Sequence, residues 1–137
     1  MAQASVQWIQ NNTFLGIDST GYSVVLSSQS DGIGMKPSDM LLVALASCTA
    51  VDVVEILKKK KSHLTSLEIK VTGEQDSDPP WTFRHIHMKF LVRGQGLSEK
   101  NISQAIRLSE EKYCSVAATI RGVANISWGF EILPDGE

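Results

Sequence analysis

A chain of 137 residues is the size of one ordinary domain. It can bury about two-thirds of its unfolded surface, so neither a metal nor a disulfide staple is needed for folding. With 42% hydrophobic and 20% charged residues it is not a disordered chain, and a formal net charge of −2 argues against nucleic acid or an anionic membrane as its main partner.

The first segment, MAQASVQWIQNN, has neither the positive start nor the apolar run of a secretory signal, so a cytoplasmic protein is expected. Three short runs follow, SVQWIQ, TFLGID and YSVVLSS, rich in β-branched and aromatic residues. Asn11-Asn12 and Ser19-Thr20-Gly21 punctuate them as in a β-meander. SDGIGM reads as a loop. Pro37 then opens a long helix predicted to reach about Lys61, proline being harmless in a first turn whose N–H groups have no helical partner. Its charge-free stretch, Met40 to Val51, falls short of the roughly twenty residues a bilayer requires, and Asp52 and Glu55 close it. No membrane span is expected. From Met40 to Leu57 apolar residues surround the axis, so the helix is expected to be wrapped by sheets or by a second subunit. Lys58 to Lys61 lie where positive charge favours the helix dipole, which predicts a solvated end.

LTSLEIKVTGE and WTFRHIHMKFLVRG alternate apolar and polar residues around the turn at residues 76–80, predicting half-buried antiparallel strands. Ser98, three residues before Asn101, is the predicted N-cap of a second helix reaching about Tyr113, with Ile102, Ala105, Ile106 and Leu108 as its apolar stripe. NISWGFEIL is the last predicted strand. The expectation is a single α+β domain over residues 1–137, in the order β-β-β-α-β-β-α-β.

Two cysteines, Cys48 and Cys114, are either inert core residues or a redox centre. There is no CxxC, so a thioredoxin-type dithiol and a zinc knuckle are unsupported. Small neighbours (Ala44, Ala46, Ser47, Thr49, Ala50) leave room beside Cys48, and Cys114 could face it only through the tertiary fold. A reactive cysteine needs its thiolate, and positive charge nearby favours it. Cys48 lies about 16 Å along the helix from Pro37, beyond the reach of the dipole. Asp52 sits four residues on, on the same face, and works against the thiolate. The candidates for positive help are Arg84, His85, His87 and Arg121, since no arginine precedes Arg84. His85 and His87 share a strand face, but no third metal ligand is in view, so no metal or other cofactor is expected.

The stretch Lys36-Pro37-Ser38-Asp39-Met40-Leu41-Leu42-Val43-Ala44-Leu45-Ala46-Ser47-Cys48-Thr49-Ala50-Val51-Asp52 resembles the P-x-E-L-L-L-A-x-L-x-x-C-T-A-x-D signature of the OsmC/Ohr superfamily. Arg84-His85-Ile86-His87, the Gly94–Ser98 turn and Glu111-Lys112-Tyr113-Cys114-Ser115-Val116 are similar to it too. The resemblance implies an OsmC-like fold, antiparallel sheets wrapped around two helices in an intertwined homodimer. It also implies a thiol peroxidase for organic hydroperoxides in oxidative stress defence. In it Cys48 would be the attacking thiolate, Cys114 the resolving cysteine, and a dithiol the reductant. An apolar pocket at the subunit interface would favour alkyl or lipid hydroperoxides.

Ser38 stands where the peroxidase branches carry a glutamate, and their N-terminal arginine has no counterpart here. Asp39, Thr49 and Asp52 instead match the broader OsmC-like group, its YhfA-type branch. Asp39, Asp52, Arg84 and His87 are therefore the candidate supporting residues, Arg84 as a substitute for the missing arginine. The alternative is a non-catalytic OsmC-like dimer that binds a small apolar ligand or serves as a slow redox sensor.

Overall fold

The computed structural model describes residues 2–30 and 32–135. In chain order these form β1 (Ser5–Gln10), β2 (Thr13–Ile17), β3 (Ser23–Ser27) and α1 (Pro37–Lys59). Next come β4 (His63–Gln75), β5 (Phe83–Gln95) and α2 (Glu99–Leu108), then a π-helical turn (Ser109–Tyr113), α3 (Ser115–Ile120) and β6 (Asn125–Ile132). This is the expected α+β order with one added short helix. The chain divides into two compact units, Met1–Leu41 and Leu42–Glu137, with the boundary in the first turns of α1.

The first unit is the meander that the strand runs predict. β1 pairs antiparallel with β2, and β2 with β3, Thr13 facing Ser27 and Ile17 facing Ser23. Asn11 turns the chain between β1 and β2 with φ 48°, a left-handed conformation that asparagine tolerates. Asp18 organises the next turn, its carboxylate accepting the N–H groups of Thr20 (2.9 Å) and Tyr22 (3.0 Å). Hydrogen bonding from Thr20 holds that carboxyl below its ordinary range. The buried Ser27 hydroxyl accepts from Gly34 N–H at 3.0 Å and ties the loop after β3 to the sheet.

In the second unit β5 is the central strand of a sheet ordered β4-β5-β6. Its inward positions Ile86, Met88, Phe90 and Val92 are fully buried, as strict alternation requires of a strand with one covered face. β4 adds Leu67, Ile69 and Val71 to that face, and β6 adds Ile126, Trp128 and Phe130. Leu45, Thr49, Val53 and Leu57 form the buried stripe of α1, and Ile102, Ala105 and Ile106 that of α2. Gly94 is required by close approach: a Cβ there would lie 2.2 Å from the carbonyl oxygen of His63.

One strand direction and two helix ends differ from expectation. β6 pairs parallel to β5, not antiparallel, because the segment joining them carries two helices and returns as a crossover. The second α-helix ends at Leu108 and gives way to the π turn, after which α3 forms, a helix the sequence pattern does not announce. α1 ends at Lys59: Lys61 takes φ 59° and Ser62 N–H bonds the carbonyl of Leu57 at 3.0 Å, the hydrogen-bond pattern of a Schellman cap. Ser98 does cap α2, its hydroxyl accepting from Asn101 N–H at 3.1 Å.

By length and hydropathy α1 could cross a bilayer, with a mean hydropathy of 2.1 over its most apolar window. It is a core helix, since its stripe from Leu45 to Leu57 is shared with the sheet and α2. The opposite side is apolar but open: Val43, Val51 and Val54 are 44%, 63% and 42% exposed.

Candidate functional site

α1 carries Cys48 in mid-helix, half-buried and packed against the core. One residue on, Thr49 is fully buried, and its hydroxyl donates to the carbonyl of Leu45 at 3.1 Å. The same hydroxyl lies 3.8 Å from the sulfur of Cys114. Both cysteines are free thiols, and Cys48 lies beside Cys114, close enough to perturb it by hydrogen bonding and by charge. The tertiary fold therefore unites the two predicted sulfurs.

A break in regular helix delivers Cys114. A π turn holds one more residue than an α-turn, and its closing bond here runs from Cys114 N–H to the carbonyl of Ser109, 2.8 Å. Cys114 is then extended, at φ −81° and ψ 105°, and its sulfur caps α3 by accepting Ala117 N–H at 3.3 Å. The residue is 2% exposed. Burial pushes its thiol above the ordinary range and the Cys48 thiol adds to this, against the opposing pull of Ala117 N–H and the Thr49 hydroxyl. Burial thus favours the neutral form of the Cys114 thiol, whereas Cys48 is the more accessible residue.

Asp52, one turn after Cys48, accepts a 2.7 Å hydrogen bond from the hydroxyl of Ser109, which is fully buried. Glu110 follows in the π turn and is 8% exposed, with one carboxylate oxygen free of any hydrogen bond. Burial raises its carboxyl above the ordinary glutamate range, opposed by Arg121. The guanidinium of Arg121 donates to the carbonyl oxygen of Glu110 and lies 3.9 Å from its carboxylate. Beside these segments a cleft of about 480 Å³ is lined by Asp52, Glu55, Ile56, Lys59, Lys60, Leu108 and Tyr113.

The candidate positive groups have other partners. Arg84 forks onto Asp76, Nη2 to Oδ2 at 2.9 Å and Nε to Oδ2 at 3.1 Å, and this pairing holds the Asp76 carboxyl below its ordinary range. Arg121 is held by Glu110. His87 and His85 share the outward face of β5, as their spacing predicts, and both bond the hydroxyl of Ser127, at 2.7 and 3.0 Å. Asp39 lies exposed in the first turn of α1, within the other unit. Among the described residues no group of three or more His, Cys, Asp or Glu side chains could hold a metal ion.

The functional candidates that sequence reasoning missed are Ser109 and Glu110. Ser109 continues the stripe of Ile102, Ala105 and Ile106 by one helical step, so its burial was signalled by spacing.

Comparison with known proteins agrees with this architecture. The family model described as OsmC-like protein matches residues 29–129. Protein YhfA of Escherichia coli strain K12 is 36% identical over 131 residues, covering 96% of this chain and 98% of its own. The OsmC-like protein of Mycoplasma pneumoniae superposes with a TM-score of 0.83 at 18% identity, covering 97% of each chain. The organic hydroperoxide resistance protein OhrB of Bacillus subtilis shares the fold with a TM-score of 0.63 at 14% identity, over 96% of this chain and 98% of its own. A match across most of the chain, by sequence and by fold, means that this protein belongs to the OsmC-like family.

Proposed function

We propose that this protein is a thiol peroxidase that reduces organic hydroperoxides through Cys48 and Cys114. The observation that carries the reading is the placement of the two free thiols beside one another, one half-buried and the other buried. That asymmetry suits two successive roles. The Cys48 thiolate attacks the terminal oxygen of the hydroperoxide; an S–O bond forms, the O–O bond breaks and the alcohol departs with a proton. The Cys114 sulfur then attacks the sulfenic sulfur. An S–S bond forms, the S–O bond breaks, and hydroxide leaves with the thiol proton as water. An external dithiol restores both thiols. Such a cycle suits a reducing compartment such as the cytoplasm, where both thiols stay free between turnovers. The likeness to a hydroperoxide resistance protein supports the substrate class.

The open apolar side of α1, with Val43, Val51 and Val54, is the face assigned to a second copy of this chain, and the active species is a homodimer. Sedimentation should give twice the monomer mass, and Val51→Asp should reduce it to the monomer.

A second reading, a non-catalytic member that binds a small apolar ligand or senses redox state slowly, is favoured by one observation. Arg84, His85, His87 and Arg121 all bond groups other than Cys48. One experiment separates the two. Reduced protein is treated with one equivalent of an alkyl hydroperoxide, quenched within seconds and mapped by peptide mass. Loss of two hydrogens, located at Cys48 and Cys114, is the peroxidase outcome. Oxidation no faster than that of free cysteine would point to the second reading.

A further inference from the structure

Beside the Thr49 contact to the Cys114 sulfur, a shorter one ties the helix that bears one thiol to the turn before the other. Asp52 lies one helical turn beyond Cys48, and its Oδ2 accepts a hydrogen bond from the Ser109 hydroxyl at 2.7 Å. Ser109 has no exposed surface, so water does not compete for that hydroxyl. Its carbonyl oxygen in turn accepts the N–H of Cys114 at 2.8 Å, the bond that closes the π turn. The chain of contacts runs from Asp52 carboxylate to Ser109 hydroxyl and from Ser109 carbonyl to Cys114 backbone. It fixes the approach of the Cys114 sulfur to Cys48 from the backbone side, while Thr49 and Ala117 N–H fix it from the sulfur side.

We infer that Asp52 and Ser109 form a latch that positions Cys114 for attack on an oxidised or derivatised Cys48, and so set the rate of disulfide closure. The latch rests on the two-thiol reading, but it touches neither sulfur, so both residues are positioning groups. Ring closure between two held thiols is fast because their relative freedom has already been removed. A buried hydroxyl bonded to a carboxylate is among the stronger hydrogen bonds, and losing it lets the π turn move relative to α1. The carboxylate also has a use at this spot: four residues from Cys48 its charge opposes the thiolate, and donation by Ser109 engages part of that charge.

The test uses a step that needs no peroxide. The chromogenic disulfide dithionitrobenzoate is reacted with the full-length protein. Exchange at Cys48 forms a mixed disulfide and releases one thionitrobenzoate; attack by Cys114 forms the S–S bond and expels the second. The two releases are timed separately. In Ser109→Ala the first release should stay within about twofold of wild type, while the second slows about tenfold, as loss of one charge-assisted hydrogen bond predicts. Asp52→Ala should slow the second release similarly. Asp52→Asn, whose amide oxygen still accepts from Ser109, should keep most of the wild-type rate. A merely structural role would lower stability without separating the two releases, so thermal unfolding is followed in parallel. If Ser109→Ala does not fold, the two Asp52 variants read the same contact from its other end.

Equal second-release rates in wild type and the alanine variants would overturn the latch. Failure of the peroxidase reading is distinguishable, because wild type would then close its disulfide here, dependent on the latch, yet leave hydroperoxide untouched.

Discussion

Cys48 and Cys114 stand on opposite kinds of backbone. Cys48 occupies an uninterrupted α-helix, where each side chain's direction is fixed by the helix and its surroundings are small residues. Cys114 occupies the joint between a π turn and a short helix, and its backbone and sulfur are bonded by Ser109, Ala117 and Thr49. A regular helix gives a residue a place without engaging it, which leaves a sulfur available to an incoming molecule. A joint holds a residue by many contacts, which suits a sulfur that must wait and then meet one fixed partner. The helix sets Cys48 beside its buried stripe of Leu45, Thr49, Val53 and Leu57, which leaves it half-buried, whereas Cys114 is 2% exposed.

The largest expected effect comes from removing either sulfur. Cys48→Ser should abolish hydroperoxide reduction to background, whereas Cys114→Ser should retain one round of oxidation and stop at the sulfenic acid. Peroxide consumption measured at substoichiometric and excess hydroperoxide separates these outcomes.

Thr49→Val comes next. It keeps the shape and removes a hydroxyl that lowers the Cys114 thiol's proton affinity. The Cys114 thiol should then ionise at higher pH, and the pH profile of disulfide closure should move upward. At neutral pH the rate should fall by about threefold to tenfold, one hydrogen bond's worth. An unmoved profile would show that Thr49 serves only the carbonyl of Leu45.

Glu110 sharpens the comparison through stability. Burial raises its carboxyl's proton affinity in the folded state. Its contribution to stability is therefore full below the ordinary glutamate range and is lost as pH rises through the folded value. Glu110→Gln stays neutral and escapes that loss. The variant should match wild type in acid and gain on it toward neutral pH. Urea unfolding at several pH values reads the gap.

Arg84→Ala should do least. Its pair with Asp76 is solvent-exposed, so any loss should be small and should vanish in high salt. A large loss of hydroperoxide activity in this variant would restore Arg84 as the substitute arginine.

Much of the fold was legible because local pattern encodes it. Alternation marks β5, turn residues bracket β1 to β3, Pro37 opens α1 and Ser98 caps α2. Three features were hidden for physical reasons. Strand direction is set by the connecting segment, so the parallel pairing of β6 could not be read from NISWGFEIL. SVAATI is too short and too rich in β-branched residues to announce α3. A π turn differs from an α-turn by one residue, which apolar periodicity does not register; its inward side chains, Ser109 and Glu110, are polar.

The site was partly legible. The sequence offered both cysteines as candidates, the family signature covering Cys48, and the strand spacing placed His85 and His87 on one face. Their shared partner Ser127 lies on another strand and Asp52 meets Ser109 across the core, so neither contact follows from local sequence.

The most direct measurement traps the first oxidised sulfur. Cys114→Ser and Cys48→Ser proteins are each given one equivalent of an alkyl hydroperoxide in the presence of dimedone, and the adduct is located by peptide mass. An adduct at Cys48 in the first protein, and none at Cys114 in the second, is the predicted result. An adduct at Cys114, or none in either protein, would contradict the assignment of Cys48 as the attacking thiol.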